Sequence, residues 1–301
     1  MEMQRILHAL PAPLRRHKLI RALAFIDPGS CVQLIQFNQN ARAFVDVREG
    51  NFRTVMISGA FDADYFRIAQ AFLPEDGVYF DVGANAGLCS FGLVPARRRA
   101  QYHLFEANPQ LWPLLRRSIA LHGGVDLRLV DAAVGERAGT IQIQVDNDAH
   151  DIGQAFIRAG AGVETRMLTL DDYIRDNAIA RADFVKMDIE GYECFALAGA
   201  RAAVAEGRLP VIYFELKASL VARHGKSVRD VLEQFRAAGY AIYHVRDRPA
   251  PAGAPWPLEI AGLGAAPLDI DRYPDSFVTD LLAIHASATH LPIRQTSTQG
   301  L

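Results

Sequence analysis

Between residues 184 and 193 the chain reads Phe-Val-Lys-Met-Asp-Ile-Glu-Gly-Tyr-Glu, which sets Lys186, Asp188 and Glu190 at alternate positions. The apolar residues before them mark a strand, and alternation sends all three side chains to one side of its end. Glu215 closes a second apolar run, Val211–Leu216. Carboxylates crowded around one ammonium push each other's pKa values apart, which is the condition for acid–base chemistry near neutral pH. The same residues fit two other readings. One is a structural ion-pair network around Lys186. The other is an oxygen set of Asp188, Glu190 and Glu215 around Mg²⁺, a less favoured reading because spacing fixes no coordination geometry. His150, in a loop after a strand, is a further candidate base, the alternative being an exposed loop histidine.

A second group of residues has the pattern of a ligand cradle. Asp81-Val82-Gly83-Ala84-Asn85-Ala86-Gly87 follows an apolar run, and its glycines permit a tight turn and close approach of backbone to a ligand. The spacing is G-x-x-x-G, which departs from the G-x-G-x-x-G of dinucleotide sites and argues against nicotinamide or flavin. Glu106 stands 19 residues after Gly87 at the end of the next run, within Phe105-Glu106-Ala107-Asn108-Pro109. An acid there, about 20 residues on, accepts hydrogen bonds from ribose hydroxyls. Asp131 ends a third run, and its place suits an adenine amino group or a loop cap. Together these point to a nucleoside-bearing ligand.

The elements that must hold these residues alternate. Strands are expected at Val78–Val82, Tyr102–Phe105, Leu127–Val134, Phe184–Met187 and Val211–Leu216. Helices are expected at Leu88–Val94, after an Asn108 cap with Pro109 at the first position, at Glu190–Val204 and at Ser227–Ala238. Ala241–Val245 and Asp280–Ala286 read as the last strands, and Thr140–Val145 as an added antiparallel one, with Arg166–Leu170 near it. Strand–helix alternation predicts an α/β fold, a mostly parallel sheet covered on both faces. Before it come two short helices in residues 1–26, β-type stretches at Val32–Phe37, Arg42–Val47 and Arg53–Ile57, and a helix at Asp64–Phe72. Residues 247–276 carry six of the fifteen prolines and read as a flap between the last two strands.

Composition limits the partners. The 301 residues include 32 Lys and Arg against 34 Asp and Glu, and half are hydrophobic, enough for a large core. Near-neutral charge argues against broad nucleic-acid binding. Cys31, Cys89 and Cys194 form no metal or disulfide spacing, no apolar run spans a bilayer, and the N-terminus lacks a signal-peptide core, so a cytoplasmic protein is expected. The basic N-terminal segment (Arg5, Arg15, Arg16, Lys18, Arg21) suits peripheral membrane contact or, more simply, packing on its own domain or a second subunit. Nothing in the pattern specifies an oligomeric state.

The ordered runs Phe80–Gly87, Phe105–Pro109, Leu168–Asp172 and Lys186–Glu193 resemble the FkbM-type S-adenosylmethionine-dependent methyltransferases. The resemblance covers roughly Gly77 to Val245, with Ala107 where the family commonly has Pro. It implies a class I methyltransferase (Rossmann-like) fold, whose seven-stranded sheet has an antiparallel last strand. It also implies S-adenosylmethionine (SAM) as cofactor and O-methylation of a hydroxyl on a sugar or glycan, lipid or secondary metabolite. On that basis Asp81, Gly83, Asn85, Gly87, Glu106, Asn108, Asp131 and Asp188 are the cofactor-binding candidates. Asp188, Glu190, Lys186 and His150 are the catalytic ones, Lys186 tuning the acids or meeting an anionic group. The expected division is an extension at 1–59, a methyltransferase domain at 60–290 and a tail at 291–301. The rival readings are an RNA- or protein-directed methyltransferase, which lacks an N-P-P-[YF] or paired-Cys signature here, and a SAM-binding protein without turnover.

Overall fold

The central strands are apolar on both sides, as strands covered by helices on each face must be. The structure is a computed structural model, and it describes residues 20, 31–145, 155–157, 162–245, 268–272 and 278–288. In β3 (Val78–Val82) Tyr79 faces one layer and Phe80 the other; Phe184 and Val185 divide likewise in β10 (Phe184–Met187), and Tyr213 and Phe214 in β11 (Val211–Lys217). With β4 (Gln101–Phe105), β5 (Asp126–Val130), β12 (Tyr240–His244) and β13 (Val278–His285) they form a seven-stranded sheet in the order β12-β13-β11-β10-β3-β4-β5. β13 runs antiparallel to both of its neighbours, and the pairs from β11 through to β5 are parallel. The expected seven-stranded sheet with an antiparallel last strand is what the chain forms.

One face is covered by the residues that precede the sheet. A hairpin of β1 (Val32–Phe37) and β2 (Ala41–Asp46) leads to α1 (Gly50–Ser58) and α2 (Ala63–Phe72), and α3 (Leu88–Leu93) joins them after β3. Ile35, Phe37, Phe52, Tyr65 and Phe91 share one core with Tyr79, Phe184, Tyr213 and Leu282 of the sheet, so this core crosses residue 59 without a break. Ile20 is buried in the same core. The other face is packed by α5 (Leu170–Asp176), α6 (Glu193–Ala198), α7 (Arg201–Ala205) and α9 (Val228–Ala237), through Ile174, Ala196, Val204, Val231 and Phe235. α4 (Trp112–Ala120) lies between β4 and β5 in the chain, and α8 (Ala218–Ala222) follows β11.

Several expected elements differ, each for a local reason. Arg53–Ile57 lies in helix α1, not in a strand. The Glu49 carboxylate caps its start by accepting the Asn51 and Phe52 N–H groups (2.9 and 2.7 Å), and Phe52, Val55 and Met56 recur at helical spacing on the buried side. Asn108 forms a turn instead of a helix cap, its side chain accepting from Gln110 N–H at 3.0 Å, and the helix waits until Trp112 with Pro113 in its first turn. The run Leu127–Val134 divides where Ala132 N–H turns back to the Val130 carbonyl (2.9 Å). Its last two residues, β6 (Ala133–Val134), pair with β9 (Val163–Leu168) in a second sheet with β7 (Gly139–Val145) and β8 (Ala155–Ile157). The helix expected over Glu190–Val204 is two short ones, because the Asp171 carboxylate caps a new start at the Ala202 and Ala203 N–H groups (2.9 and 2.8 Å).

Within the 247–276 segment, Ile270 is buried against the sheet's second face and Leu268 N–H donates to the Ile242 carbonyl at 2.7 Å. The rest of the expected flap, His150, the N-terminal helices apart from Ile20, and the tail at 291–301 lie outside the described residues. Among the described residues no helix is long and apolar enough to cross a membrane.

The covering layer is fastened to β3 by a buried hydroxyl pair, Tyr65 to Tyr79 at 2.6 Å. Tyr79→Phe strands the Tyr65 hydroxyl and should cost about 1–2 kcal/mol in urea unfolding. The double variant with Tyr65→Phe removes both partners and should recover most of that loss.

Candidate functional site

The chain order of the strands reverses between β3 and β10, and at such a switch point the carboxyl ends of the strands leave a crevice. Its floor is electrostatic. Lys186 and Asp81 are register partners on neighbouring strands, and the Lys186 Nζ lies 3.8 Å from Asp81 Oδ1, 3.3 Å from Asp188 Oδ2 and 3.2 Å from the Gly83 carbonyl oxygen. Ser90 donates to the other oxygen of Asp81 at 2.6 Å. Burial works against the Lys186 charge, but Asp188, Cys89 and Asp81 outweigh it and hold the ammonium above its ordinary pKa. Burial also opposes ionisation of Asp188, yet Lys186 and then Lys217 overcome it and keep that carboxyl below the usual range. Asp81, wholly enclosed, is raised by burial.

The Gly-rich turn is drawn down onto this floor. The Gly83 and Ala84 N–H groups both donate to the Phe105 carbonyl (3.0 and 2.9 Å), and Gly83 adopts φ 83°. A Cβ on Gly83 would stand 2.0 Å from the Asp188 carbonyl oxygen, so only glycine permits this approach of the two loops. Glu106 ties the turn to the next strand end. Its two carboxylate oxygens accept the Asn85 N–H at 2.6 Å and the Asn108 N–H at 2.7 Å. Burial pushes this carboxyl up to about 7, against the pull of those two donors.

Above the floor lie two adjoining cavities. The first, of about 690 Å³ with its open mouth, is walled by Gly83, Asn85, Glu106, Ala133, Ile143 and Tyr192 among others. The second, of about 1170 Å³ with its mouth, lies under the starts of α1 and α2 and reaches Tyr213, Glu215, Lys217 and Asp280. Asn85, Asp188 and Glu190 line both. Six carboxylates line the second cavity (Glu49, Asp62, Asp188, Glu190, Glu215 and Asp280) against Lys186 and Lys217. Lys217 pairs with Glu215 at 2.6 Å. Burial, with Asp188 next, raises Glu190 and Glu215, and burial with Glu215 and Asp62 pushes Asp280 up to about 6.

Of the residues singled out in the sequence, Gly83, Asn85, Glu106, Asp188 and Glu190 meet at the first cavity and Lys186 lines the second. Asp81, Gly87 and Asn108 line neither. Asp81 is enclosed within the floor, Gly87 opens α3, and Asn108 acts on Glu106 through its backbone. Asp131 lines neither cavity; it turns to the surface, where Arg116 and Arg166 pair with it at 3.4 and 3.7 Å, and Ala132, Ala133 and Val134 form the wall beside it. Lys186 is engaged by carboxylates already present, which leaves it poorly placed to meet an anionic group. Among the described residues no group of three or more His, Cys, Asp or Glu side chains could hold a metal ion. Sequence reasoning missed Asp62, Tyr213 and Asp280. Tyr213 alternates with Glu215 on one strand, a readable signal, whereas Asp280 arrives only because β13 pairs it opposite Glu215.

The FkbM methyltransferase domain matches residues 81–242, more than half of the chain. The chain belongs to the FkbM methyltransferase family. Together with the observed strand order, this identifies the sheet as the class I, Rossmann-like methyltransferase fold. The FkbM chain is 24% identical over 158 residues to the 2-O-methyltransferase NoeI of Sinorhizobium fredii, matching 46% of this chain and spanning 63% of that relative's length. Among solved structures, the precorrin-6y C5,15-methyltransferase of Geobacter metallireducens is similar at 14% identity and a TM-score of 0.39, over 74% of this chain and 88% of that one. M. jannaschii TYW2, in complex with AdoMet, is similar at 13% identity and a TM-score of 0.38, over 84% and 85%. The residues lining the first cavity run from Val82 to Tyr192, inside the FkbM match; the second cavity also takes residues 49–65 and Asp280 from outside it.

Lys186→Met would leave Asp81 without its cation and Asp188 with Lys217 alone. Urea unfolding of this variant should show a loss of about 3–5 kcal/mol. A loss under 1 kcal/mol would show that the ammonium does not hold the floor together.

Proposed function

We propose that the protein transfers a methyl group from SAM to a hydroxyl of a small, uncharged acceptor such as a sugar, glycan, lipid or secondary metabolite. The observation that carries this reading is the pair of cavities meeting at Asp188 and Glu190 on the carboxyl rim of the sheet. The first cavity fits SAM: Gly83 and Asn85 bring backbone close, Glu106 offers its remaining lone pairs to ribose hydroxyls, and Ala132, Ala133, Val134 and Ile143 give an apolar wall for adenine. When bound there, SAM supplies an activated methyl on a sulfonium.

The protein's own part is alignment and removal of a proton. Glu190 faces both cavities, and its raised pKa makes it the stronger base of the two shared carboxylates, so it takes the acceptor's hydroxyl proton. Asp188, held ionised by Lys186, accepts a hydrogen bond from the acceptor and fixes its position. The acidic lining of the second cavity disfavours phosphates and other polyanions, which weighs against RNA. The 2-O-methyltransferase relative supports oxygen as the acceptor atom. The three cysteines are free, in keeping with a reducing, cytoplasmic setting for this activity.

Isothermal titration with SAM, followed by methyl-transfer assays on a panel of neutral and phosphorylated hydroxyl compounds, tests this reading. Binding in the micromolar range and turnover of a neutral acceptor are expected; no binding at millimolar SAM overturns it. Glu190→Gln should lower kcat by about 10²–10⁴ with little change in acceptor KM. In the wild type kcat should rise with pH as Glu190 loses its proton, and this rise should be absent in the variant. Separately, SAM should bind more tightly as pH passes upward through about 7, because ionised Glu106 accepts hydrogen bonds that the protonated acid accepts less well. Glu106→Gln should bind more weakly and lose that pH dependence.

A further inference from the structure

Five consecutive residues, Asp188 to Tyr192, join β10 to α6, and all but Gly191 line the first cavity. Their path is not one that a chain adopts by default. Glu190 has φ 55°, a left-handed conformation unusual for a residue with a side chain, and Gly191 follows at φ 96°. At Gly191 a Cβ would come within 2.4 Å of the Leu220 carbonyl carbon. Such a conformation persists only where its surroundings hold it.

The holder is the next residue. Glu193 is 1% exposed and lines neither cavity. Its Oε1 accepts the Ile189 N–H at 3.2 Å and the Gly191 N–H at 3.3 Å, gripping the loop on both sides of Glu190. Its Oε2 is buried with no hydrogen-bond partner. A buried carboxylate with one idle oxygen is costly. Burial accordingly pushes this acid up to about 7 against the N–H groups that favour its ionised form. A costly group that touches no ligand cavity, yet holds the residues that do, is best explained by what it holds.

We propose that Glu193 is a positioning residue whose single engaged oxygen sets the path of the Asp188–Tyr192 loop, and so the placement of Asp188 and Glu190 between cofactor and acceptor. This rests on the SAM reading of the first cavity. The role is geometric, an acceptor atom at one point, and it does not require a charge. That distinguishes it from an electrostatic role through a simple pair of variants. Glu193→Gln keeps an acceptor oxygen at the same reach and loses the charge. Glu193→Asp keeps the charge and draws the oxygens back by one methylene.

The test is SAM titration of the full chain and both variants at pH 7.5, with amide hydrogen exchange at Ile189 and Gly191 and a thermal melt as controls. The expected result is that Glu193→Asp binds SAM at least about tenfold more weakly and exchanges faster at those two amides. The amides of β10 should keep their protection, and Glu193→Gln should stay within about threefold of the wild type. Wild-type affinity in Glu193→Asp overturns the proposal, and so does the reverse order, Gln weak and Asp tight, which a charge-based role would give. Loss of protection throughout the chain also overturns it, as that marks a merely structural group. If the folded wild type does not bind SAM, the cofactor reading fails by itself. The exchange data then decide: local loss at Ile189 and Gly191 in the Asp variant supports the clamp, and unchanged protection overturns it.

Discussion

Lys186 stands one residue before the end of the sheet's middle strand, where an ammonium is expensive to bury unless carboxylates and a carbonyl surround it. Here Asp81, Asp188 and the Gly83 carbonyl do so, and each belongs to a different part of the crevice. The parallel pairing of β3 and β10 brings the two loops side by side, and the cation ties them together across the strand ends. Close approach in turn requires the absence of a side chain at Gly83, and burial, joined by the ionised Asp188, raises Glu190 and Glu215. Backbone shape and acid–base character thus meet at one buried charge.

Carboxylates of the same chemical kind take unlike tasks around that charge because their surroundings differ. Asp188 is held ionised by cations. Glu106 is held by two N–H groups, on the cavity wall. Glu193 is held by two N–H groups as well, but away from both cavities. Glu190, facing both cavities, alone of these four has a left-handed backbone.

Much of this was legible in the residues. The alternating apolar runs located all seven sheet strands, and the ordered motifs brought Gly83, Asn85, Glu106, Asp188 and Glu190 to one crevice. What was not legible depends on pairing between distant segments or on caps that override propensity. Arg53–Ile57 has strand-forming residues, yet the Glu49 side chain starts a helix there. Asp131 sits at a strand end as its spacing indicates, but two arginines draw it to the surface. Asp280 and Asp62 lie far apart in the chain and carry no motif. Only the antiparallel return of β13 and the docking of α2 place them on one cavity.

The two cavities also have different origins along the chain. The first is built wholly within the stretch shared with the family, whereas the second borrows a roof from residues 49–65 and a wall from Asp280, both outside it. On the proposed reading, the matched stretch by itself encloses the methyl donor. On that reading the recipient side is a composite, in which residues of the matched stretch from Ala84 to Lys217 are completed by segments that the family match does not cover.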